Sequence, residues 1–160
     1  MNHSTCSFCS PAVADVPVVV KQPAILLIDD DPDVSQSLAR YLSRYDVEVL
    51  QAYHGAHGIW LATTRRPGLI ITDLRMPQGR GQDVVEYLKG RADTCYIPII
   101  VLTGLHSDEL ERQMRKQGVE EFFTKPVKLE DLGAVINCFV ELREAATAYD
   151  DDAGKEGLSS

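Results

Sequence analysis

The chain has 160 residues, 44% hydrophobic and 25% charged, which is the balance of one globular core with loose ends. Its 24 acidic and 16 basic residues give a formal charge of -8, and no stripe of Lys and Arg stands out, which argues against direct nucleic-acid binding. No apolar run approaches the ~20 residues of a membrane span, and the start lacks the basic and apolar regions of a signal peptide, so the expected place is the cytoplasm with no membrane contact.

Cysteines occur only at positions 6, 9, 95 and 138, too scattered for a disulfide framework and suited to a reducing compartment. Cys6 and Cys9, with His3 nearby, offer up to three ligands of zinc type. No second pair follows at a zinc-finger spacing, so they read as incidental thiols. Residues 1–22 mix Ser, Pro, Ala and Val without a helical period and are expected to form a flexible arm. Within it, Val18-Val19-Val20 is apolar enough to add to a sheet edge.

From Ala24 the pattern sharpens. Ile25-Leu26-Leu27-Ile28 is a short apolar strand, which Asp29-Asp30-Asp31-Pro32 ends while opening a helix. Pro32 suits the first helical turn, and acids there meet the positive end of the helix dipole. Val34, Leu38, Tyr41 and Leu42 give that helix an apolar face as far as Arg44. Val47-Glu48-Val49-Leu50 alternates and predicts a second strand with one side less covered. A helix from Gly55 to Thr64 follows, with Ile59, Trp60 and Thr63 expected to face inward, Trp60 as packing.

Leu69-Ile70-Ile71-Thr72 then runs into Asp73, bounded by Pro67-Gly68 and Met76-Pro77, and reads as a central strand buried on both faces. A loop with Gly79 and Gly81 leads to a helix over Gln82 to Lys89, stopped by Gly90. Pro98 to Thr103 is the next buried strand. Ser107 caps a helix with Asp108 and Glu109 in its first turn and Arg115 and Lys116 in its last. Only Leu110 and Met114 anchor that helix, so it is expected to be the least tightly held. Glu120 to Thr124 is a fifth strand ended by Lys125-Pro126. Leu129, Leu132, Val135, Ile136, Phe139, Val140 and Leu142 predict a last helix with a wide apolar face.

Five strands alternating with five helices predict an α/β fold, a doubly wound five-stranded parallel sheet with helices on both faces. The second and fifth strands carry acids and belong at the edges, which fits the flavodoxin-like order 2-1-3-4-5. The expected organisation is an arm over 1–22, a folded unit over 23–144 and an acidic tail over 145–160.

In a parallel sheet the carboxyl ends of all strands share one edge, where ligands sit. That edge collects Asp29, Asp30, Asp73, Thr103 and Lys125. Carboxylates brought together repel one another, a cost that a cation relieves. Oxygen-only ligands with room for water suit Mg2+ better than zinc or copper. A carboxylate beside Mg2+ can attack a phosphoryl group and form an acyl phosphate. A lysine and a hydroxyl would hold the phosphoryl oxygens.

Four separated motifs in order carry a family resemblance: Ile25-Leu26-Leu27-Ile28-Asp29-Asp30-Asp31-Pro32, Ile70-Ile71-Thr72-Asp73-Leu74-Arg75-Met76-Pro77, Pro98-Ile99-Ile100-Val101-Leu102-Thr103-Gly104 and Phe122-Phe123-Thr124-Lys125-Pro126. Over Pro23 to Arg143 the chain resembles the receiver domain of bacterial two-component response regulators. The resemblance implies that Asp73 is the phosphoacceptor and that Asp30 touches Mg2+ directly while Asp29 acts mostly through water. It makes the backbone carbonyl of Arg75 a further metal ligand. Thr103 and Lys125 would hold the phosphoryl group, Thr103 and Phe122 would form the switch, and the Lys125-Pro126 bond would be cis.

The implied partners are a sensor histidine kinase or phosphotransfer protein upstream and a downstream target or fused output domain. The face made by the fourth helix, fifth strand and fifth helix would carry output, including a homodimer through that face. Two positions depart from the fuller pattern. Phe122 lacks a hydroxyl, so the switch reduces to an apolar ring swinging in or out. Arg75 and Leu105 sit where the family varies and where the approach of the attacking water is set.

Taken singly, several of these residues have plainer readings. Asp31 and Asp33 are accounted for by the helix start alone, and Lys125 in isolation reads as a surface lysine. His54, His57 and His106 have no partner at metal spacing and no helical hairpin to make one a relay histidine. A haloacid dehalogenase type of phosphohydrolase also uses an aspartyl phosphate with Mg2+, but its Asp-x-Asp-x-Thr/Val pattern from Asp29 meets Asp33 instead. A receiver that only docks is disfavoured by the complete set of Asp73, the acid pair, Thr103 and Lys125. Dinucleotide binding fails for want of a glycine-rich turn after the first strand. The expected role is therefore a phosphorylatable signalling module rather than a multiple-turnover enzyme.

Overall fold

The computed structural model describes residues 21–78 and 80–146. Residues 1–20, which include His3, Cys6, Cys9 and Val18 to Val20, lie outside these, as do Gly79 and the acidic run 147–160. Strands β1 (Ala24–Ile28), β2 (Glu48–Ala52), β3 (Leu69–Thr72), β4 (Ile99–Thr103) and β5 (Glu121–Thr124) alternate with helices α1 (Pro32–Leu42), α2 (Gly55–Arg65), α3 (Gly81–Lys89), α4 (Asp108–Lys116) and α5 (Leu129–Phe139). The strands form one parallel sheet in the order β2-β1-β3-β4-β5, as their apolar content predicts. Every residue of β1, β3 and β4 is buried, which a strand covered by helices on both sides requires. The edge strands β2 and β5 are only partly covered.

Side-chain alternation splits the core into two layers. Leu26, Ile28, Ile70 and Val101 face α2, α3 and α4, where they meet Leu61, Ala62, Val84, Leu88 and Met114. Ile25, Leu27, Ile71 and Leu102 face α1 and α5, where they meet Leu38, Leu42, Leu132 and Ile136. Met114 is the one buried residue of α4 and Leu110 packs only partly, as the sparse anchors of that helix predict.

Several local expectations change. Trp60 points outward at 57% exposed, and the inward face of α2 is Gly55, Gly58, Leu61 and Ala62. The reason is closeness of approach: a Cβ on Gly58 would lie 2.5 Å from Ile28 Cδ1, so the helix turns its small residues to the sheet. Trp60 instead stacks on His57, and His54 caps the helix by accepting the His57 amide on Nδ1 at 3.2 Å. Thr63 is only half buried and returns its hydroxyl to the Ile59 carbonyl. Helix α1 ends at Leu42 rather than Arg44, and β2 continues to Ala52 because Gln51 and Ala52 pair with Leu27 and Ile28.

The last helix also stops early. Val140 is extended, and the chain turns back so that Arg143 and Ala145 exchange backbone hydrogen bonds with Asp46 and Arg44. Leu142 lies beyond the helix yet still packs against the α1 and α5 layer, whereas Phe139 is 37% exposed. Periodicity extends through Leu142, but the antiparallel contact between Tyr45 and Glu144 draws the chain away from the helical path. The Lys125-Pro126 peptide is cis, as expected.

Candidate functional site

The backbone holds Asp29, Asp73 and Lys125 each one step past its strand. Asp29 donates its amide to Ala52 O at 3.0 Å, Asp73 to Ile28 O at 2.9 Å and Lys125 to Thr103 O at 2.8 Å. Ladder bonds thus fix three main-chain positions at the carboxyl edge while leaving the side chains free to turn toward one another. Lys125 Nζ donates to Asp29 Oδ2 at 2.8 Å and to Asp73 Oδ2 at 3.0 Å. These two contacts span 96 and 52 residues of sequence and close the site.

The remaining carboxylate oxygens are held by local turns. Asp29 Oδ1 accepts the Asp31 amide and Asp73 Oδ1 accepts the Arg75 amide, each at 2.9 Å. Such turns are a habit of Asp after a strand and here serve to aim the carboxylates. Asp30 completes the cluster: ligand atoms of Asp29, Asp30 and Asp73 lie within 4.8 Å of one another. Asp29 and Asp73 are 6% and 7% exposed, and Asp30 is the more open of the three.

The electrostatics of the pair are unequal. Burial raises the Asp29 carboxyl above its ordinary value and the Asp73 charge adds to this, while hydrogen bonds from Lys125 and the Asp31 amide offset it only in part. Burial acts on Lys125 in the other direction, toward the neutral amine, but hydrogen bonds to Asp29 and Asp73 outweigh it and raise the ammonium. One ion pair therefore strengthens its cation while its acid stays destabilised. Burial is the larger influence on Asp29, whereas Lys125 has two carboxylate partners to set against its own burial.

Thr103 closes β4 at the same edge with no exposed surface, and its Oγ1 accepts the Leu105 amide at 3.4 Å. Among the described residues no hydrogen bond joins the Thr103 hydroxyl to Asp73 or to Lys125. Phe122 is half buried and packs against the α2, α3 and α4 layer, while Phe123 packs on the opposite one. Arg75 follows the acid in the loop, where it lines a cavity of about 300 Å³ with Arg80, Gln82 and Leu105.

Two residues near the site escape the sequence reading. Gly81 starts α3 so close to the acidic strand end that a Cβ there would lie 2.0 Å from Asp73 O. Ser35 lies with Leu38 and Leu42 on the buried stripe of α1, a stripe whose helical spacing was available in the sequence.

A family model described as the response regulator receiver domain matches residues 25–137. Protein PilH of Pseudomonas aeruginosa is 32% identical over 113 residues, covering 71% of this chain and 93% of that protein. Hybrid signal transduction histidine kinase D of Dictyostelium discoideum is 31% identical over 124 residues, which is 78% of this chain, and the chain spans 8% of that kinase's length. A response regulator receiver protein from Pseudomonas putida has the same architecture, with a TM-score of 0.69, 29% identity and coverage of 75% of this chain and 99% of that structure. On these grounds the chain belongs to the response regulator receiver domain family, a family of signalling modules in two-component systems.

Proposed function

We propose that the chain accepts a phosphoryl group on Asp73 from the phosphohistidine of a sensor histidine kinase or phosphotransfer protein. The observation that carries this reading is the partly buried Asp29–Lys125–Asp73 bridge at the carboxyl edge of the sheet. A carboxylate oxygen of Asp73 attacks phosphorus, a P–O bond forms as the P–N bond breaks, and the imidazole leaves with the electron pair. Lys125 is a lasting cation beside the Asp73 carboxylate, which suits it to hold the phosphoryl oxygens once the acyl phosphate has formed. The Thr103 hydroxyl lies at the neighbouring strand end to donate a further hydrogen bond.

The donor set fits Mg2+. Three carboxylates converge beside one ammonium that pairs with only two of them, leaving negative charge uncompensated in a partly buried pocket, and every donor is a hard oxygen. Asp30, Asp73 and the backbone carbonyl of Arg75 would hold the ion, with Asp29 behind them through water. The bound cation supplies neutralisation of the developing phosphoryl charge.

Phosphorylation adds charge beside Thr103, and we read Thr103 and Phe122 as the pair that converts it into a surface change. The sparse anchoring of α4 and the half-buried Phe122 support output through the face of α4, β5 and α5, to a protein target, a fused output domain or a second copy. An apolar groove of about 560 Å³ between α1 and the start of α5, with Lys125 on its wall, supports docking of the donor there. We place the signalling unit at 23–144, between the arm and the acidic tail, and its action in the cytoplasm without nucleic-acid contact. Among the described residues no helix is long and apolar enough to cross a membrane. Incubation with acetyl phosphate and Mg2+ tests the reading: acid-stable, base-labile labelling is expected in the wild type and absent from Asp73→Ala. Undiminished labelling of that variant refutes it.

A further inference from the structure

Beside the acidic cluster lies a small cavity that none of the steps above uses. It measures about 10 Å³ between β1, β3 and the first turns of α1, and its lining includes Asp29, Val34, Ser35, Leu38, Thr72 and Asp73. Ser35 is 1% exposed, and its Oγ has no hydrogen-bond partner in the protein. Buried hydroxyls are nearly always partnered. The cavity has about the volume that one water molecule needs, and its lining offers the two to four polar partners that hold a buried water.

We infer that Ser35 anchors one ordered water between its hydroxyl and the carboxylates of Asp29 and Asp73, and so acts as a positioning residue for the cation site. The hydrogen-bond chemistry closes. The water accepts the Ser35 hydroxyl hydrogen and donates its own two hydrogens to the two carboxylates. Each carboxylate already accepts Lys125 Nζ on Oδ2 and a backbone amide on Oδ1, and each keeps lone pairs to spare. The water thereby forms a second bridge between Asp29 and Asp73, alongside Lys125. It adds donors to a pair that shares a single ammonium, and it fixes the separation of the carboxylates before a cation arrives. Outer partners of this kind set metal affinity by holding the ligands still.

The inference rests on the reading of this cluster as a Mg2+ site, and two experiments keep the two ideas separable. Calorimetric Mg2+ titration compares the wild-type chain with Ser35→Ala and with the matched pair Ser35→Thr and Ser35→Val, which differ by a hydroxyl against a methyl. Ser35→Ala and Ser35→Val are expected to weaken Mg2+ binding about tenfold, with Ser35→Thr within about twofold of wild type. Unchanged affinity in Ser35→Ala, together with the raised melting temperature of a relieved unpaired hydroxyl, overturns the inference. A wild type that binds no Mg2+ refutes the metal reading alone. The water itself is then decided by a high-resolution crystal structure of the metal-free wild type. Density within hydrogen-bond distance of Ser35 Oγ and both carboxylates is expected, and a Ser35 hydroxyl turned to the Asp31 carbonyl with no water beside it overturns the proposal.

Discussion

Replacing Gly81 by Ala sets two physical effects against each other at the first residue of α3. Helix propensity favours Ala over Gly by up to about 1 kcal/mol, and the backbone of Gly81 is not in the left-handed region, so local conformation alone predicts stabilisation. Space predicts the reverse. A Cβ on Gly81 would lie 2.0 Å from Asp73 O, 2.6 Å from Leu74 Cα and 2.9 Å from Asp73 C, where ordinary contacts begin at 3.4 Å. All three atoms are main chain, so no flexible side chain can swing aside. The helix start or the end of β3 must move by more than an ångström.

Overpacking costs about 1–3 kcal/mol, and a backbone-to-backbone clash belongs at the upper end. Less the propensity gain, the net loss is about 2 kcal/mol, or about 8 °C in melting temperature for a domain of this size. Urea and thermal unfolding of the metal-free protein measure it. Because the clash falls on Asp73 itself, the initial rate of labelling by acetyl phosphate is expected to fall by about tenfold or more, as misplacement of a reacting group by an ångström can do. A Gly81→Ala variant at least as stable as wild type and labelled at the wild-type rate refutes the steric reasoning.

Two other perturbations separate stability from the site. Lys89 Nζ donates to Ile97 O at 3.0 Å and to Glu120 Oε1 at 2.9 Å, and Glu120 Oε2 accepts the Ile99 amide at 2.6 Å, tying α3 to the amino ends of β4 and β5. Lys89→Met strands a half-buried carboxylate and is expected to cost about 2 kcal/mol with labelling of Asp73 intact. A loss under about 0.5 kcal/mol in denaturant titration contradicts this. Asp29→Asn tests the raised carboxyl. A carboxyl raised on folding stabilises below its unfolded value, and that contribution is lost as pH rises through the folded value, so ionised Asp29 burdens the metal-free protein at neutral pH. The variant is therefore expected to be the more stable at pH 7, with the difference shrinking as pH falls below the ordinary carboxylate range. A difference that widens on acidification reverses the sign and refutes the assignment to burial.

Much of this molecule is legible from its residues alone. Uninterrupted apolar runs in β1, β3 and β4 declare strands covered on both faces, and acids in β2 and β5 declare edges, so the strand order follows before any contact is known. Parallel strands then require Asp29, Asp73, Thr103 and Lys125 to share one edge. Those are properties of local pattern and chain direction, which a sequence carries explicitly.

Distances between segments are not carried in that way. That Lys125 bridges both acids rather than facing solvent depends on contacts 96 and 52 residues apart. An apolar Trp60 reads as an inward residue, but α2 lies so close to the sheet at Gly58 and to α3 at Gly55 that its inner face is Gly55, Gly58, Leu61 and Ala62. The apolar period runs through Leu142, whereas tertiary pairing of residues 143–145 with residues 44–46 ends α5 at Phe139. In the same way Gly81 and Ser35 are ordinary letters in the chain. Their importance arises from what the fold brings against them: a carbonyl oxygen at one, a small cavity shared with two carboxylates at the other. Period and composition specify which face of an element is apolar, whereas close packing in three dimensions decides which atoms that face can accommodate.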